Sequence, residues 1–387
     1  MSRTLLIDPV TRIEGHAKIT IQLDEAGHVQ DAHFHVTQVR GFEKFVEDRP
    51  FQEMPALMAR ICGICPVSHL IASAKACDAL LAVQIPETAA NLRRILNLAQ
   101  IIQSHALSFF YLSAPDLLLG MDADPAQRNI FGIAQAQPQI ARDGVRLRQI
   151  GQQTIEILGG KRIHPGWVVP GGVGAPLTPE HRDALLAMVP DGIAIAERTL
   201  EWFRGVLSNY QDEIAAFGTQ KTMFMGLVTP DAKLEMYDGT LRIADDNRQI
   251  VADRLEPADY ESYIGEAVEA FTYLKTPYYK PFGYPQGTYR VGPLARLNIV
   301  ASCGTPRADA ELEHFRWLDH RSNFHYHYAR LIEILYCFEK IEQILADDDI
   351  LSDRVRAHAM PNNSEGVGMS EAPRGTLLHH YKIDRDG

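Results

Sequence analysis

Between positions 60 and 69 the chain reads Arg60-Ile61-Cys62-Gly63-Ile64-Cys65-Pro66-Val67-Ser68-His69. Two thiols stand three residues apart, a histidine follows four further on, and an arginine lies just upstream. Thiolates at that spacing can hold one soft metal ion. The same pair admits three other readings. It can be half of a structural zinc site that needs two more N or S ligands. It can be a dithiol redox couple, which requires a βαβ setting; helical patterns flank the pair and argue against that. It can be packing alone. Cys77, Cys303 and Cys337 are isolated and read as small buried residues.

Three further segments carry charge where little is expected. Asp8-Pro9-Val10-Thr11-Arg12-Ile13-Glu14-Gly15-His16 is dense in ionisable groups just before a strand pattern. Arg40-Gly41-Phe42-Glu43 and Glu371-Ala372-Pro373-Arg374-Gly375 follow later. Each alone is a solvated turn or a plain loop. Residues 159–176 hold Gly159, Gly160, Gly166, Gly171, Gly172 and Gly174 with three prolines. That is a glycine-rich turn, not a phosphate cradle, because no Lys-Ser/Thr ending follows.

The elements that must position these groups are legible as periodicities. His16 to Leu23 alternates, with Ala17, Ile19, Ile21 and Leu23 on one face. Asp24-Glu25-Ala26-Gly27 is a turn signal, and a second alternating run spans Val29 to Val39. The spacing predicts a hairpin, part of a small sheet. From about residue 51 the period becomes helical. Leu92, Ile95, Leu96, Ala99, Ile102, Ala106, Phe109 and Phe110 mark one helix, with Pro86 in its first turn and Pro115 at its end. Residues 125–158 read as a second helix stopped by Gly159-Gly160. Thr178-Pro179-Glu180 opens a third, broken at Pro190 and resumed to about residue 216. Residues 220–300 are mixed, and Ala308 to Leu345 is helical again, carrying His314, His320, His325 and His327. Residues 364–383 are strand-like.

The predicted fold class is mainly α (α+β): a large helical bundle body with small antiparallel sheets near the N- and C-terminal ends. One domain is expected over 1–387, with a β-rich part at 1–45, helical parts at 46–220 and 306–350, a mixed part at 221–305 and a strand and loop part at 351–387. Composition agrees with a globular protein: 46% hydrophobic and 22% charged. The net charge of −11 argues against nucleic acid or an anionic membrane as partner. No apolar run approaches the ~20 residues of a membrane span. The first residues, Met1-Ser2-Arg3-Thr4-Leu5, have no apolar signal core. Five irregularly spaced cysteines suggest a cytoplasmic, reducing compartment.

Taken together and in order, four of these segments resemble the large, catalytic subunit of nickel–iron hydrogenases, specifically the soluble bidirectional NAD-linked type. They are Arg-Ile-Glu-Gly-His (12–16), Arg-Gly-Phe-Glu (40–43), Arg-Ile-Cys-Gly-Ile-Cys-Pro-Val-Ser-His (60–69) and Glu-Ala-Pro-Arg-Gly (371–375). The resemblance runs through essentially the whole chain, and the cysteine motif is its most specific part. It implies a centre in which four cysteines hold nickel and two of them bridge to an iron carrying carbon monoxide and two cyanides. Cys62 then matches a terminal nickel ligand and Cys65 a bridging one. His69 matches a histidine hydrogen-bonded near the bridging sulfur. Glu14 matches the carboxylate that relays protons, and Glu43 a ligand of a nearby Mg2+. Arg374 matches the guanidinium poised over the metals, Pro373 lies beside the cyanides, and Asp116 matches a carboxylate that orients the arginine.

That assignment has a chemical logic. Splitting H2 heterolytically needs a Lewis acid for the hydride and a base for the proton. Soft thiolates suit nickel and iron in low oxidation states. A coordinated thiolate or the guanidine serves as base, though a neutral arginine is rare. A buried carboxylate such as Glu14 then passes the proton outward. The chain has no cysteine set for an iron–sulfur cluster and no flavin is expected in it, so electrons must leave through partners. The resemblance implies diaphorase subunits carrying FMN and Fe–S clusters together with an Fe–S-bearing hydrogenase small subunit, and H2 as substrate. The family's second cysteine pair, in an Asp-Pro-Cys-x-x-Cys-x-x-His segment, is absent from these residues. The expected explanation is a longer natural chain, since Thr376 to Ile383 reads as a strand ending at the turn Asp384-Arg385-Asp386-Gly387. Two other classes compete: an inactive or structural relative of the kind found in respiratory complex I, which generally lacks the cysteines, and a zinc-stabilised scaffold.

Overall fold

The computed structural model describes residues 3–38 and 40–387. Two compact units divide the chain: residues 1–47 with 260–289, and residues 48–259 with 290–387. The first unit is built on the alternating runs. Strands Arg3–Ile7, Ala17–Leu23 and Val29–Val36 form an antiparallel sheet in that order. The turn between the last two sits at Asp24-Glu25-Ala26-Gly27: Asp24 and His28 share a backbone bond, and the His28 amide also donates to the Asp24 carboxylate at 2.8 Å. Val39, which closes the predicted run, lies outside the described residues. A second hairpin, Ile264–Val268 with Lys275–Tyr279, belongs to the same unit. Phe271 at its turn stacks on His33 with ring centroids 4.2 Å apart and accepts a hydrogen bond from His35.

The second unit is helical, with long helices α1 (Pro66–Leu81), α2 (Glu87–Ala106), α3 (Pro138–Gly159) and α4 (Pro179–Leu207), then α5 (Pro293–Ile299), α6 (Pro306–Arg316) and α7 (His325–Leu345). The apolar stripe read from Leu92 to Phe110 is buried throughout. Burying such side chains contributes about 1.5–3 kcal/mol each, which makes this stripe a major stabilising term. An antiparallel sheet that includes Met223–Val228, Thr240–Ala244 and Ile250–Leu255 fills the mixed region. The architecture is the expected α+β arrangement. Among the described residues no helix is long and apolar enough to cross a membrane.

Several boundaries differ from the periodicity reading, and proline explains most of them. Pro115 does not end the helix that begins at α2. The path continues through a π-helical segment, Leu107–Ser113, into Ala114–Leu119, and stops at Gly120 with φ 92°. Pro115 falls in the first turn of that last segment, where its missing N–H leaves nothing unpaired. Pro86 is the cap residue of α2 rather than part of its first turn. The helix expected over 125–158 is two helices. Ile130–Ala136 is capped by Asn129, whose side chain accepts from Phe131 N and Gly132 N, and Pro138 opens α3. Pro190 does not break α4, which runs unbroken for 29 residues. An interior proline costs about 3 kcal/mol, and here packing overrides it. Gly192 lies so close to α7 that a Cβ there would meet the Phe338 ring at 2.3 Å. Residues 317–324 interrupt the helix expected from Ala308 to Leu345, separating α6 from α7.

The strand-like C-terminal stretch is a hairpin, Glu365–Ala372 paired with Gly375–Lys382, in register from Glu365↔Lys382 to Ala372↔Gly375. The segment 371–375, read as a loop, is therefore its tip, with Pro373 and Arg374 as the two turn residues. The strand expected over Thr376–Ile383 has its partner on the preceding side. The hairpin lies flush on α1. A Cβ on Gly368 would meet the Ala72 carbonyl at 2.0 Å and the Ala76 amide at 2.3 Å. Small residues on both surfaces let strand and helix backbones touch. Replacing Gly368 with Ala is expected to destabilise the chain by about 1–3 kcal/mol through overpacking against backbone. Chemical denaturation measures this, and an unchanged midpoint would contradict the contact.

Candidate functional site

The two-cysteine segment is held at the mouth of α1. Cys62 is extended, with φ −135° and ψ 130°, after a 3-10 turn at Ala59–Ile61. Cys65 is the cap residue of α1 and Pro66 starts the helix. The Cys65 amide donates to Cys62 Sγ at 3.3 Å. The Cys62 sulfur thus accepts from a backbone N–H, while Cys65 as cap makes no side-chain bond to the helix N-terminus. Both cysteines are partly accessible, whereas Cys77, Cys303 and Cys337 are buried. Burial pushes the thiols of those three upward, as expected of inert packing cysteines. A soft ion held by thiolate donors fits the first pair and not the other three.

What fixes the segment is a polar stripe on α2. Gln100 and Gln103 each donate to the Ile64 carbonyl at 2.7 Å, and Gln100 also accepts from the Val67 amide at 3.4 Å. Ser68 donates to Asn97 at 3.3 Å. The same stripe reaches the C-terminal hairpin. Asn97 donates to the carbonyls of Met236 and Glu371 at 2.9 and 3.1 Å. Arg374 Nη1 donates to Ser104 Oγ at 3.3 Å. Arg93, Asn97, Gln100, Gln103 and Ser104 are all buried. One helix face therefore anchors the cysteines and the arginine tip together. At that tip Pro373 is buried and Arg374 exposed. Gly375 has φ +146°, and a Cβ on Gly292, which has φ +84°, would meet the Arg374 carbonyl at 2.7 Å.

Behind the tip lies a dry charged network. Arg296 Nε and Nη2 donate to the two oxygens of Glu333, each at 2.7 Å, and Nη1 donates to Glu371 at 2.7 Å. His105 Nε2 approaches Glu333 at 2.7 Å. All four side chains are almost wholly buried. Burial alone would raise the Glu333 pKa, but the Arg296 charge and hydrogen bonds, with His105, bring it down to about 2. Burial lowers His105 to about 4, against the pull of Glu333, so the ring is neutral at neutral pH and its Nε2–H donates. Glu371 moves upward, because burial outweighs Arg296, the Thr376 hydroxyl and the Leu227 amide. Arg330, close by, falls to about 10 through burial and the like charge of Arg374.

The remaining predicted residues fall as follows. His69 lies in the first turn of α1, and its Nδ1 meets His379 Nε2 at 3.2 Å; His379 in turn meets the Tyr381 hydroxyl at 2.9 Å. Burial lowers His69 to about 4 and His379 to about 3. Asp116 lies in the helical segment just beyond the π-turn and pairs with Arg128 at 3.3 Å. Glu14 and Glu43 belong to the first unit. Glu14 is in the bend before the second strand and is exposed rather than buried. Glu43 accepts from Arg40 Nε at 3.0 Å, and this contact holds its carboxyl below the usual range.

The residues that sequence reasoning missed are the anchors: Asn97, Gln100, Gln103, Ser104, Arg296 and Glu333. A signal existed for several of them. Arg93, Asn97, Gln100 and Ser104 recur at i, i+4, i+7 and i+11 within a helix otherwise read by its apolar face. Arg296 and Glu333 gave no comparable pattern, since their pairing depends on the tertiary contact of α5 with α7.

Comparison with known proteins bears directly on this constellation. Residues 4–39 match a family model described as HoxL-like, and residues 40–138 one described as nickel-dependent hydrogenase. The chain is 43% identical to a vhu subunit of the F420-non-reducing hydrogenase of Methanocaldococcus jannaschii, covering 99% of this chain and 92% of that protein. It is 42% identical to the NAD-reducing hydrogenase HoxS subunit beta of Cupriavidus necator, covering 100% and 83%. It superimposes on the crystal structure of an NAD+-reducing [NiFe]-hydrogenase in the H2-reduced state with a TM-score of 0.96 and 45% identity, covering 99% and 86%.

Acid should loosen the core that holds the site. Glu333, His105 and His379 all have folded pKa values below their ordinary ones of 4.5, 6.5 and 6.5. The unfolded chain then binds more protons as pH falls, so their stabilisation is complete above about pH 6.5 and is lost on the way down. Glu371, being raised, contributes with the opposite sign over its own range. The urea midpoint is expected to fall steadily between about pH 6.5 and 4. A midpoint that rises over that interval would show that the histidines are not buried neutral.

Proposed function

The chain belongs to the nickel-dependent hydrogenase family, as its catalytic large subunit; from that premise we propose that it cleaves H2 reversibly and heterolytically with electrons passed through partner subunits to NAD+. The observation that carries the site assignment is the common anchorage of Ile64 and Arg374 to Gln100, Gln103 and Ser104. The NAD link is supported by the likeness to the NAD+-reducing enzyme at a TM-score of 0.96.

In this reading Cys62 and Cys65 would hold a nickel–iron centre as two of its thiolate ligands. Two thiolates are half of a four-coordinate soft set. A bound nickel–iron pair supplies the Lewis acidity that lets H2 give up a proton. The chain's own groups do the rest. Arg374, held by Ser104 on the helix that also anchors Ile64, would offer a cation to the thiolates, and its guanidinium fork gives directed donors that a lysine lacks. Pro373, buried at the hairpin tip, would offer an apolar surface to the centre. His69, whose Nδ1 is tied to His379 at 3.2 Å, would use its other ring nitrogen to support a cysteine ligand. Asp116, which pairs with Arg128 at 3.3 Å, would be the carboxylate that orients Arg374. Glu14 takes protons outward, its exposure suiting exchange with water, and Glu43 serves a Mg2+. Electrons leave through a small subunit bearing Fe–S clusters and diaphorase subunits bearing FMN and clusters.

A second reading differs only in the acceptor. The relative that is 43% identical is named only for not reducing F420, so its likeness leaves an acceptor other than NAD as the alternative. The test uses the full-length protein purified with its own partner subunits. Cys62→Ser and Cys65→Ser are expected to lose bound nickel by metal analysis. Arg374→Lys is expected to keep nickel and lower kcat about a hundredfold. Nickel retained in both serine variants would overturn the ligand assignment. Reduction of a viologen dye by H2 without reduction of NAD+ would favour the second reading.

A further inference from the structure

We infer that Arg296 is a positioning residue for Arg374, acting through the backbone of the hairpin tip; the inference rests on the role proposed above for Arg374. Every nitrogen of the Arg296 guanidinium group is committed. Nε and Nη2 are on Glu333, and Nη1 is shared between Glu371 at 2.7 Å and the Ala372 carbonyl at 3.0 Å. The last bond fixes backbone two residues before Arg374. Glu371 extends the grip to the other strand, since its second oxygen accepts from Thr376 Oγ1 at 2.9 Å and from the Leu227 amide at 3.0 Å. Glu371 and Thr376 face each other in the hairpin register, so one carboxylate clasps both sides of the Pro373–Arg374 turn.

The helix that carries Arg296 also touches the turn directly. Gly292, whose carbonyl accepts from the Arg296 amide at 2.9 Å, leaves no room for a Cβ against the Arg374 carbonyl. One turn of α5 thus holds the tip by side chain and by backbone. Stability alone is a poor reason for this arrangement. Apolar residues of similar volume would fill the space at equal or lower free-energy cost than a desolvated guanidinium with two carboxylates. A fixed guanidinium at Arg374 is a sufficient reason, because displacing a reacting group by about 1 Å costs on the order of a hundredfold in rate.

The test is a double-mutant cycle in the full-length protein with its metals and partner subunits: R296K, R374K and the pair. R296K keeps a charge but loses the fork. Expected results are a kcat loss of about tenfold to a hundredfold at unchanged nickel content and KM for H2, and little further loss when R296K is added to R374K. Amide hydrogen exchange of residues 371–376 should quicken in R296K. Losses that multiply in the pair, or unchanged exchange at the tip, would overturn the inference. So would an active R296K beside an impaired R374K, which leaves the reading of Arg374 standing. A harmless R374K would overturn both. Should R296K fail to fold, Glu333→Gln carries the same cycle, with the same non-additivity expected and additivity fatal.

Discussion

A guanidinium sealed from water must be neutralised in place, and much of the second unit is arranged to do that for Arg296. Glu333 comes from α7, Glu371 from the C-terminal hairpin, and Arg296 itself from α5. His105, on α2, closes the far side. Four elements distant in sequence therefore meet at one charge. With His105 neutral, one cation faces two carboxylates, and the charge of Arg330 lies close enough to be felt at Glu333. Arg296 cannot leave the cluster without stranding two carboxylates in a medium where each costs several kcal/mol. The constraint fixes how α2, α5, α7 and the hairpin approach one another more narrowly than apolar packing alone would.

The polar stripe on α2 applies the same logic to hydrogen bonds. Asn97, Gln100 and Gln103 are buried, so each must find partners in the fold. They find them in the carbonyls of Ile64, Met236 and Glu371. The last two segments are already joined, since the Glu371 amide donates to the Met236 carbonyl at 3.1 Å, and Asn97 closes that joint onto the helix. Ile64 lies in irregular backbone, where a buried carbonyl needs a donor from elsewhere. Amide side chains on a rigid helix supply it and set the position of the cysteine segment at the same time.

Much of this was legible in the sequence, and the failures have physical causes. The apolar stripe from Leu92 to Phe110, the Thr178 cap and the turn at Asp24 to Gly27 follow from local periodicity and turn chemistry, and they appear where expected. Pro115 and Pro190 read as breaks because propensity is local. A π-turn before Pro115 and a close contact with Phe338 beside Pro190 are tertiary matters. The cysteine segment and Arg374 stand out by residue type. Arg296 and Glu333 do not, since a buried ion pair looks on paper like two surface charges. Glu14, expected to be buried, is exposed, because its bend precedes a strand instead of packing beneath one.

The distribution of accessibility gives the arrangement its meaning. The two sulfurs and the Arg374 guanidinium keep access to their surroundings. Those that hold them, from Asn97 to Arg296, have almost none. Accessible side chains on flexible stems are poor tools, because ordering them at the moment of reaction costs rotamer entropy. Here part of that ordering is done during folding, by contacts to backbone next to these residues. Ile64 is pinned between the two cysteines, and Ala372 and Gly292 are pinned around Arg374. The Arg374 guanidinium is tied further, by Nη1 to Ser104 Oγ at 3.3 Å, so the support reaches from backbone to side chain.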